Sequence, residues 1–548
     1  MVGRARGASA RDSVRRHRCH STRPWCGPGR TRSRRGLIVA LGRVTGSVVV
    51  GVGAALVEVE ADVGQGLPAT VIVGLPDTAV TEARDRVKAA VRNSGLQWPG
   101  QRVTVGLSPA WVPKRGPGLD LAIAVAVLAA TGQLPDERAR RALVVGELGL
   151  DGRVRPVRGV VAAAIEAARQ GLPGIVVPVA NVVEAAVVPG LDVTGVTSLA
   201  HVVAVLRGEQ PGADPVPEET VTARPDPPDL LDVRGQHEAR LALEVAAAGG
   251  HHVFLLGPPG VGKTMLAERL PGLLPDLDEA DALEVTAVRS VAGRLGPGDG
   301  LVVRPPYEAP HHSATLAALV GGGTAGRLRP GLVSLAHRGV LLLDESPEFD
   351  RRALDALRQP LESGTVTLAR ADLSAVLPAR FQLVLAANPC PCGAVSPRGD
   401  DCSCSPAVRR RYLARLSGPL LDRVDLRLAL SRPTAADLAE TGALEGSAVV
   451  AARVRDARAR SASRLAGTGW RSGTEVPGPR LRRTWPPDTA ASRLLDGAVA
   501  ARRLTLRGAD RVLRVAWTLA DLAGRDRPGA DEVGLAMTLR SGEQQWAA

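Results

Sequence analysis

The stretch Gly257-Pro258-Pro259-Gly260-Val261-Gly262-Lys263-Thr264 constrains this 548-residue chain more than any other. It follows the apolar run Val253-Phe254-Leu255-Leu256 and precedes Met265-Leu266-Ala267-Glu268-Arg269-Leu270, so the sequence predicts strand, glycine loop and helix in that order. Glycines let backbone N–H groups close around an anion, and a helix N-terminus adds partial positive charge. The predicted phosphate cradle spans Gly257 to Met265. Lys263 is placed to reach the outer phosphates of a nucleotide, and the Thr264 hydroxyl to ligate Mg²⁺. Composition singles out Lys263. Of 69 Lys+Arg residues only Lys88, Lys114 and Lys263 are lysine. A chain that uses arginine almost everywhere keeps here a compact ammonium on a flexible stem, where a planar fork would not fit.

A second element supports the first. Gly339-Val340-Leu341-Leu342-Leu343-Asp344-Glu345 is an apolar strand ending in two carboxylates. Asp344 is expected to hold Mg²⁺ through water, and Glu345 to polarise the attacking water. Phe381 to Asn388 predicts another core strand, with Asn388 at its C-terminal end to orient that water. Together these elements imply a nucleotide hydrolase.

Directly after Asn388 come Cys390-Pro391-Cys392-Gly393 and, a short loop later, Cys402-Ser403-Cys404. Four cysteines in two Cys-x-Cys pairs suit a tetrahedral thiolate site for Zn²⁺, though the spacing is tighter than the usual Cys-x-x-Cys. Free or redox-active thiols are the alternative. Paired histidines, His311 and His312, have no further Cys or His at ligand spacing, so a structural or subunit-contact role is expected for them.

The chain is too long for one core, and its composition shifts mark boundaries. Residues 1–38 form a basic tail. Residues 1–36 hold 11 arginines against one acid, Asp12, which leaves only +3 of the net +13 for everything that follows. The high charge is therefore no nucleic-acid footprint of the body. The tail lacks an apolar h-region and reads as disordered, or as upstream sequence translated from an early start, with Val39-Ala40-Leu41 as a plausible true start. No apolar run is long enough to cross a membrane, which with the missing export signal predicts a cytoplasmic, reducing setting where cysteines favour metal over disulfides.

Residues 39–208 alternate strands and helices, among them strand Pro68 to Leu75, helix Thr78 to Asn93, an almost wholly apolar buried helix Leu119 to Thr131, and strand Ala142 to Leu148. Residues 209–229 are rich in Pro, Asp and Glu and predict a linker. Residues 230–432 form the nucleotide core, with a Cys-rich insertion at 390–404, and residues 433–548 a C-terminal helical domain. Within the core, Val320-Gly321-Gly322-Gly323 predicts a flexible loop facing a pore, Arg351 to Ser363 one helix, and Thr365 to Leu377 a β-hairpin.

Residues 39–208 resemble the Lon-type protease domain through Gly146-Glu147-Leu148-Gly149-Leu150-Asp151-Gly152-Arg153-Val154 and Pro113-Lys114-Arg115-Gly116-Pro117. The position matching the nucleophilic serine is Gly118, and the one matching the catalytic lysine falls at about Ala163. Without hydroxyl or amine no Ser–Lys dyad forms, so the domain is expected to be a non-proteolytic scaffold. The entry Asp232-Val233-Arg234-Gly235-Gln236 resembles the lead-in of AAA+ ATPases near the adenine.

From about Gly46 to Leu539 the chain resembles the ComM/YifB group of magnesium-chelatase-like AAA+ ATPases. The words that carry the resemblance are Ala309-Pro310-His311-His312-Ser313, Leu343-Asp344-Glu345-Ser346-Pro347-Glu348-Phe349, Asn388-Pro389-Cys390-Pro391-Cys392-Gly393 and Ser417-Gly418-Pro419-Leu420-Leu421-Asp422-Arg423. Ser346 departs from the more usual leucine. The resemblance implies an α/β chain: a Lon-like N-terminal domain, an AAA+ core with a parallel sheet, and a C-terminal helical lid. It implies ATP and Mg²⁺, a homo-hexameric ring with ATP between subunits, and a DNA motor that drives branch migration during uptake of foreign DNA. Arg423 is then the candidate arginine finger, a cation given to the neighbouring subunit's γ-phosphate; an ion pair with Asp422 or Asp425 is the plainer alternative. Arg511 or Arg514, on a helix from Leu506 to Leu522, is the candidate lid arginine that touches nucleotide in its own subunit.

A chelatase-type ATPase that remodels a protein partner is the competing function. The Lon-like domain and the absence of a long acidic linker and an integrin-type metal site argue against it. Scarce aromatics, 2% of the chain, offer no base-stacking platform, so DNA contacts should go to phosphates. Arg327, Arg329 and Arg370 are the candidates.

Overall fold

Strands covered on both faces show continuous apolar runs and half-covered strands alternate, and the structure, a computed structural model, gathers strands of both kinds into two large sheets. It describes residues 41–214, 227–296, 298–324, 327–370, 373–393, 402–435, 437 and 444–541. The basic tail, most of the linker and the middle of the Cys-rich insertion lie outside these residues.

The N-terminal sheet contains β1 (Gly42–Val50), β2 (Gly53–Gly64), β3 (Thr70–Val73), β4 (Arg102–Ser108), β5 (Ala142–Val144), β8 (Gly174–Pro178) and β9 (Asp192–Val196), in the order β3-β4-β2-β1-β5-β8-β9. β6 (Glu147–Leu148) and β7 (Val154–Arg155) form a separate small hairpin. Helix Asp120–Ala130 packs beneath with every residue buried. The single strand expected over 142–148 breaks at Gly146, where a Cβ would come 3.1 Å from Leu121 and Val154 side chains. The break lets the Leu121 amide donate to the Gly146 carbonyl and the Leu148 amide to Asp120 Oδ2.

The second sheet is wholly parallel. Its strands are β10 (Val253–Leu256), β11 (Tyr307–Glu308), β14 (Val340–Leu343), β17 (Gln382–Ala387) and β18 (Leu426–Ala429), in the order β11-β14-β17-β10-β18. All residues of β10, β14 and β17 are buried. Two hairpins project from this core. β12 (Gly321–Thr324) pairs with β13 (Arg327–Pro330), so the glycine run is a strand and not the flexible loop expected. β15 (Thr365–Arg370) pairs with β16 (Leu373–Pro378), the β-hairpin expected over this stretch. The helix expected over 351–363 is two, Arg351–Ala356 and Arg358–Ser363. Pro360 lacks the N–H that an unbroken helix would donate to Ala356.

Helices Ser447–Leu465, Leu506–Leu522 and Ala530–Ser541 share one hydrophobic core with helix His237–Gly249 and with β10, β14, β17 and β18. Helix Val160–Arg169 of the N-terminal segment packs on helix Glu279–Ala292 of the core, through Ala163, Ala164 and Ala287. Among the described residues no helix is long and apolar enough to cross a membrane.

Candidate nucleotide site

The parallel sheet places the chemistry at its C-terminal edge. Gly257 leaves β10 there, its amide donating to the Ala387 carbonyl at 3.1 Å. Gly260 and Gly262 take φ of +76° and +95°, a left-handed region that a side chain would strain. Helix Lys263–Leu273 starts immediately after. Gln236 ties the entry segment to the loop, donating to the carbonyls of Ser431 at 2.8 Å and Val261 at 3.4 Å.

Lys263 is buried and folded back. Its Nζ donates to the Gly257 carbonyl at 2.7 Å, the Pro258 carbonyl at 2.9 Å and Asn388 Oδ1 at 2.9 Å. Burial lowers its pKa, while Asp344 and Glu345 pull the other way. The structure therefore joins Lys263 and Asn388, 125 residues apart in sequence. The Thr264 hydroxyl donates to Asp344 Oδ2, and the Glu345 amide to Asp344 Oδ1 at 2.8 Å. A hydroxyl facing a carboxylate is an oxygen donor set of the kind Mg²⁺ takes.

Glu345 sits at φ +49°. Its Oε2 lies 3.0 Å from His312 Nδ1, and the His311 ring leans on His312 with centroids 4.0 Å apart. Sequence reasoning missed this role for the histidine pair. The contact follows from β11, which is only two residues long and pairs with β14, so the segment after it runs beside Glu345.

The candidate arginines stand elsewhere. Asp425 precedes β18, which runs parallel to β10, so it lies at the N-terminal edge, opposite the phosphate loop. Arg511 Nη1 is 2.5 Å from Asp425 Oδ1. Burial works against that carboxylate, but Arg511 and the two adjacent histidines hold it well below the usual range. Arg514 is half-buried and donates to the Val476 carbonyl at 2.8 Å; desolvation lowers its pKa. Neither approaches the phosphate loop of its own subunit, which corrects the expectation for a lid arginine. Both line a cleft of about 650 Å³ that also includes Arg338, Arg380 and Glu362. Arg423 shares that edge and pairs with Glu362 at 2.7 Å, not with Asp422 or Asp425. Arg329 is exposed on β13; the side chains of Arg327 and Arg370 lie outside those described.

The four cysteines also converge, with their Sγ atoms all within 4.8 Å of one another.

Residues 229–438 match the family described as magnesium chelatase, subunit ChlI; residues 59–181 match subunit ChlI of Mg-chelatase, and residues 444–540 the C-terminal part of that subunit. An uncharacterized protein of Mycobacterium tuberculosis is 53% identical over 508 residues, 92% of this chain and 99% of the relative. The uncharacterized protein YifB of Escherichia coli is 42% identical over 479 residues, 87% of this chain and 92% of the relative. The competence protein ComM of Haemophilus influenzae is 40% identical over 483 residues, 87% of this chain and 93% of the relative.

Proposed function

The chain belongs to the ComM/YifB family of magnesium-chelatase-like proteins, and from that premise we propose that it is an ATP-hydrolysing AAA+ ring motor acting on branched DNA. The observation that carries this reading is the meeting of Lys263, Thr264, Asp344, Glu345 and Asn388 at one edge of a parallel sheet. Lys263 exchanges two loop carbonyls for the β- and γ-phosphates. Thr264 and Asp344 hold Mg²⁺, which when bound neutralises charge on those phosphates. Glu345 takes the attacking water in line, and Asn388 steadies it from the neighbouring strand. Arg423, on the opposite edge, serves the site of the next copy in a hexamer.

The N-terminal domain acts as a non-proteolytic scaffold, since Gly118 and Ala163 offer no nucleophile or amine. One relative is named a competence protein, and this supports DNA taken up or recombined as the substrate. DNA phosphates meet the hairpins β12/β13 and β15/β16, with Arg327, Arg329 and Arg370 as contacts.

ATP hydrolysis by the purified chain, with and without a four-way DNA junction and with Lys263→Ala as the blank, tests this reading. Stimulation by the junction supports the motor. Turnover that depends on Lys263 but ignores DNA moves the assignment to remodelling of a protein partner, a reading favoured by the near-neutral charge of the body.

A further inference from the structure

β17 delivers Asn388 and then Cys390, fully buried, in a turn where the Gly393 amide donates to the Cys390 carbonyl at 3.1 Å. Cys402 and Cys404 return just ahead of helix Pro406–Leu413. Sγ separations are 3.2 Å for Cys390–Cys392, 3.4 Å for Cys392–Cys402 and 3.6 Å for Cys402–Cys390. A disulfide would bring two sulfurs to about 2.05 Å. Four thiolates around one Zn²⁺ at about 2.3 Å stand roughly 3.8 Å apart. The observed spacing suits a single ion. An all-sulfur tetrahedral set selects zinc, or a lone iron, over magnesium and calcium.

The cluster abuts the phosphate loop. Gly393 has φ +73°, and a Cβ there would come 2.7 Å from Pro259 Cγ. Asn388, two residues before Cys390, accepts from Lys263. On the far side, Arg409 Nε donates to the Cys404 carbonyl at 3.1 Å from the helix that leads on to Arg423.

We propose that Cys390, Cys392, Cys402 and Cys404 hold one structural Zn²⁺ ion, and that this ion keeps Gly393 against Pro259 and Asn388 beside Lys263, so that nucleotide affinity depends on the metal. Binding releases the four thiol protons to solvent. The coupling rests on the nucleotide-hydrolysis reading above; the metal site stands without it.

The test uses the full chain purified without chelator, with elemental analysis and titration by a fluorescent ADP analogue. About one zinc per chain is expected. Cys402→Ser with Cys404→Ser loses the zinc and binds the analogue about tenfold more weakly. Gly393→Ala keeps the zinc yet also binds more weakly, because its Cβ displaces Pro259. If the serine variant does not fold, zinc is released from the native chain with a mercurial, followed with a metallochromic dye, and the titration repeated on that sample. Zinc far below stoichiometric in the native chain, or iron in its place, overturns the metal assignment. Zinc present with unchanged affinity in both variants, or in the mercurial-treated chain, overturns the coupling. A native chain that holds zinc but binds no nucleotide supports the metal site, and overturns the coupling together with the hydrolysis reading.

Discussion

His312 Nδ1 lies 3.0 Å from Glu345 Oε2, so the carboxylate proposed to handle the attacking water is engaged before any nucleotide arrives. The backbone of Glu345 is left-handed, a conformation that costs a non-glycine residue about 1–3 kcal/mol and persists only where surroundings hold it. His312 is therefore expected to hold the carboxylate back in the resting chain rather than to take part in the chemistry. Glu345→Gln should lose at least about 10²-fold in kcat while still binding nucleotide. His312→Ala should raise DNA-free turnover by about 2- to 10-fold, the worth of one net hydrogen bond, and lessen stimulation by DNA. Steady-state hydrolysis of both variants and their double mutant checks this; a His312→Ala enzyme that slows would place the histidine in the chemistry instead.

Arg423 pairs with Glu362 at the edge opposite its own phosphate loop. If it completes the neighbour's site, Arg423→Ala should lose about 10³-fold in kcat with nucleotide affinity little changed. Mixing Arg423→Ala chains with equally inactive Lys263→Ala chains is the sharper measurement. In a randomly mixed head-to-tail ring about a quarter of sites combine an intact Lys263 with an intact neighbouring arginine. Recovery of activity towards that share is expected, and no recovery would place Arg423 in a role within its own subunit.

How much of this was legible in the sequence follows from the range of the interactions. β10, β14 and β17 announce themselves because strands covered on both faces carry unbroken apolar runs. Helix Leu506–Leu522 ends where its pattern ends. That pattern shows which face of the helix is buried, but not which edge of a distant sheet it meets, so Arg511 and Arg514 were placed at the wrong edge. The glycine run in β12 has no side chains to alternate and concealed a strand. His312 reaches Glu345 only because the two-residue β11 joins β14, a pairing too short to leave a signal.

Glu184 is buried where the N-terminal segment meets the core, beside the Ser290 hydroxyl and 2.6 Å from Asn181 Nδ2. Burial raises its pKa above the ordinary 4.5. A carboxyl whose folded pKa is raised favours folding only where both states are protonated, and that advantage fades as pH climbs above the unfolded value. At neutral pH Glu184 is therefore a cost. Glu184→Gln keeps an acceptor oxygen for Asn181, lets the Ser290 hydroxyl turn from donor to acceptor for the new amide, and should be neutral or stabilising by up to about 1 kcal/mol. Its melting temperature should exceed that of the native chain at pH 8 and approach it at pH 4.5.

His252 carries the opposite sign. Its ring is half-buried beside Asp425, Arg511 and His251, and desolvation lowers its pKa from 6.5 to about 4. The Leu383 amide donates to its Nδ1 at 3.1 Å, a bond that needs an unprotonated nitrogen. Between pH 6.5 and 4 the unfolded chain binds a proton that the folded chain refuses, so stability falls as pH falls through that window. For one group the loss is about 2 kcal/mol at pH 5 relative to pH 8. His252→Asn supplies an oxygen to the Leu383 amide and has nothing to titrate. Its unfolding midpoint in urea should start lower at pH 8, from lost packing, and decline less steeply towards pH 5. Parallel pH profiles for the native and variant chains would show that His252 does not carry the acid sensitivity, and would leave it with the Asp425–Arg511 pair.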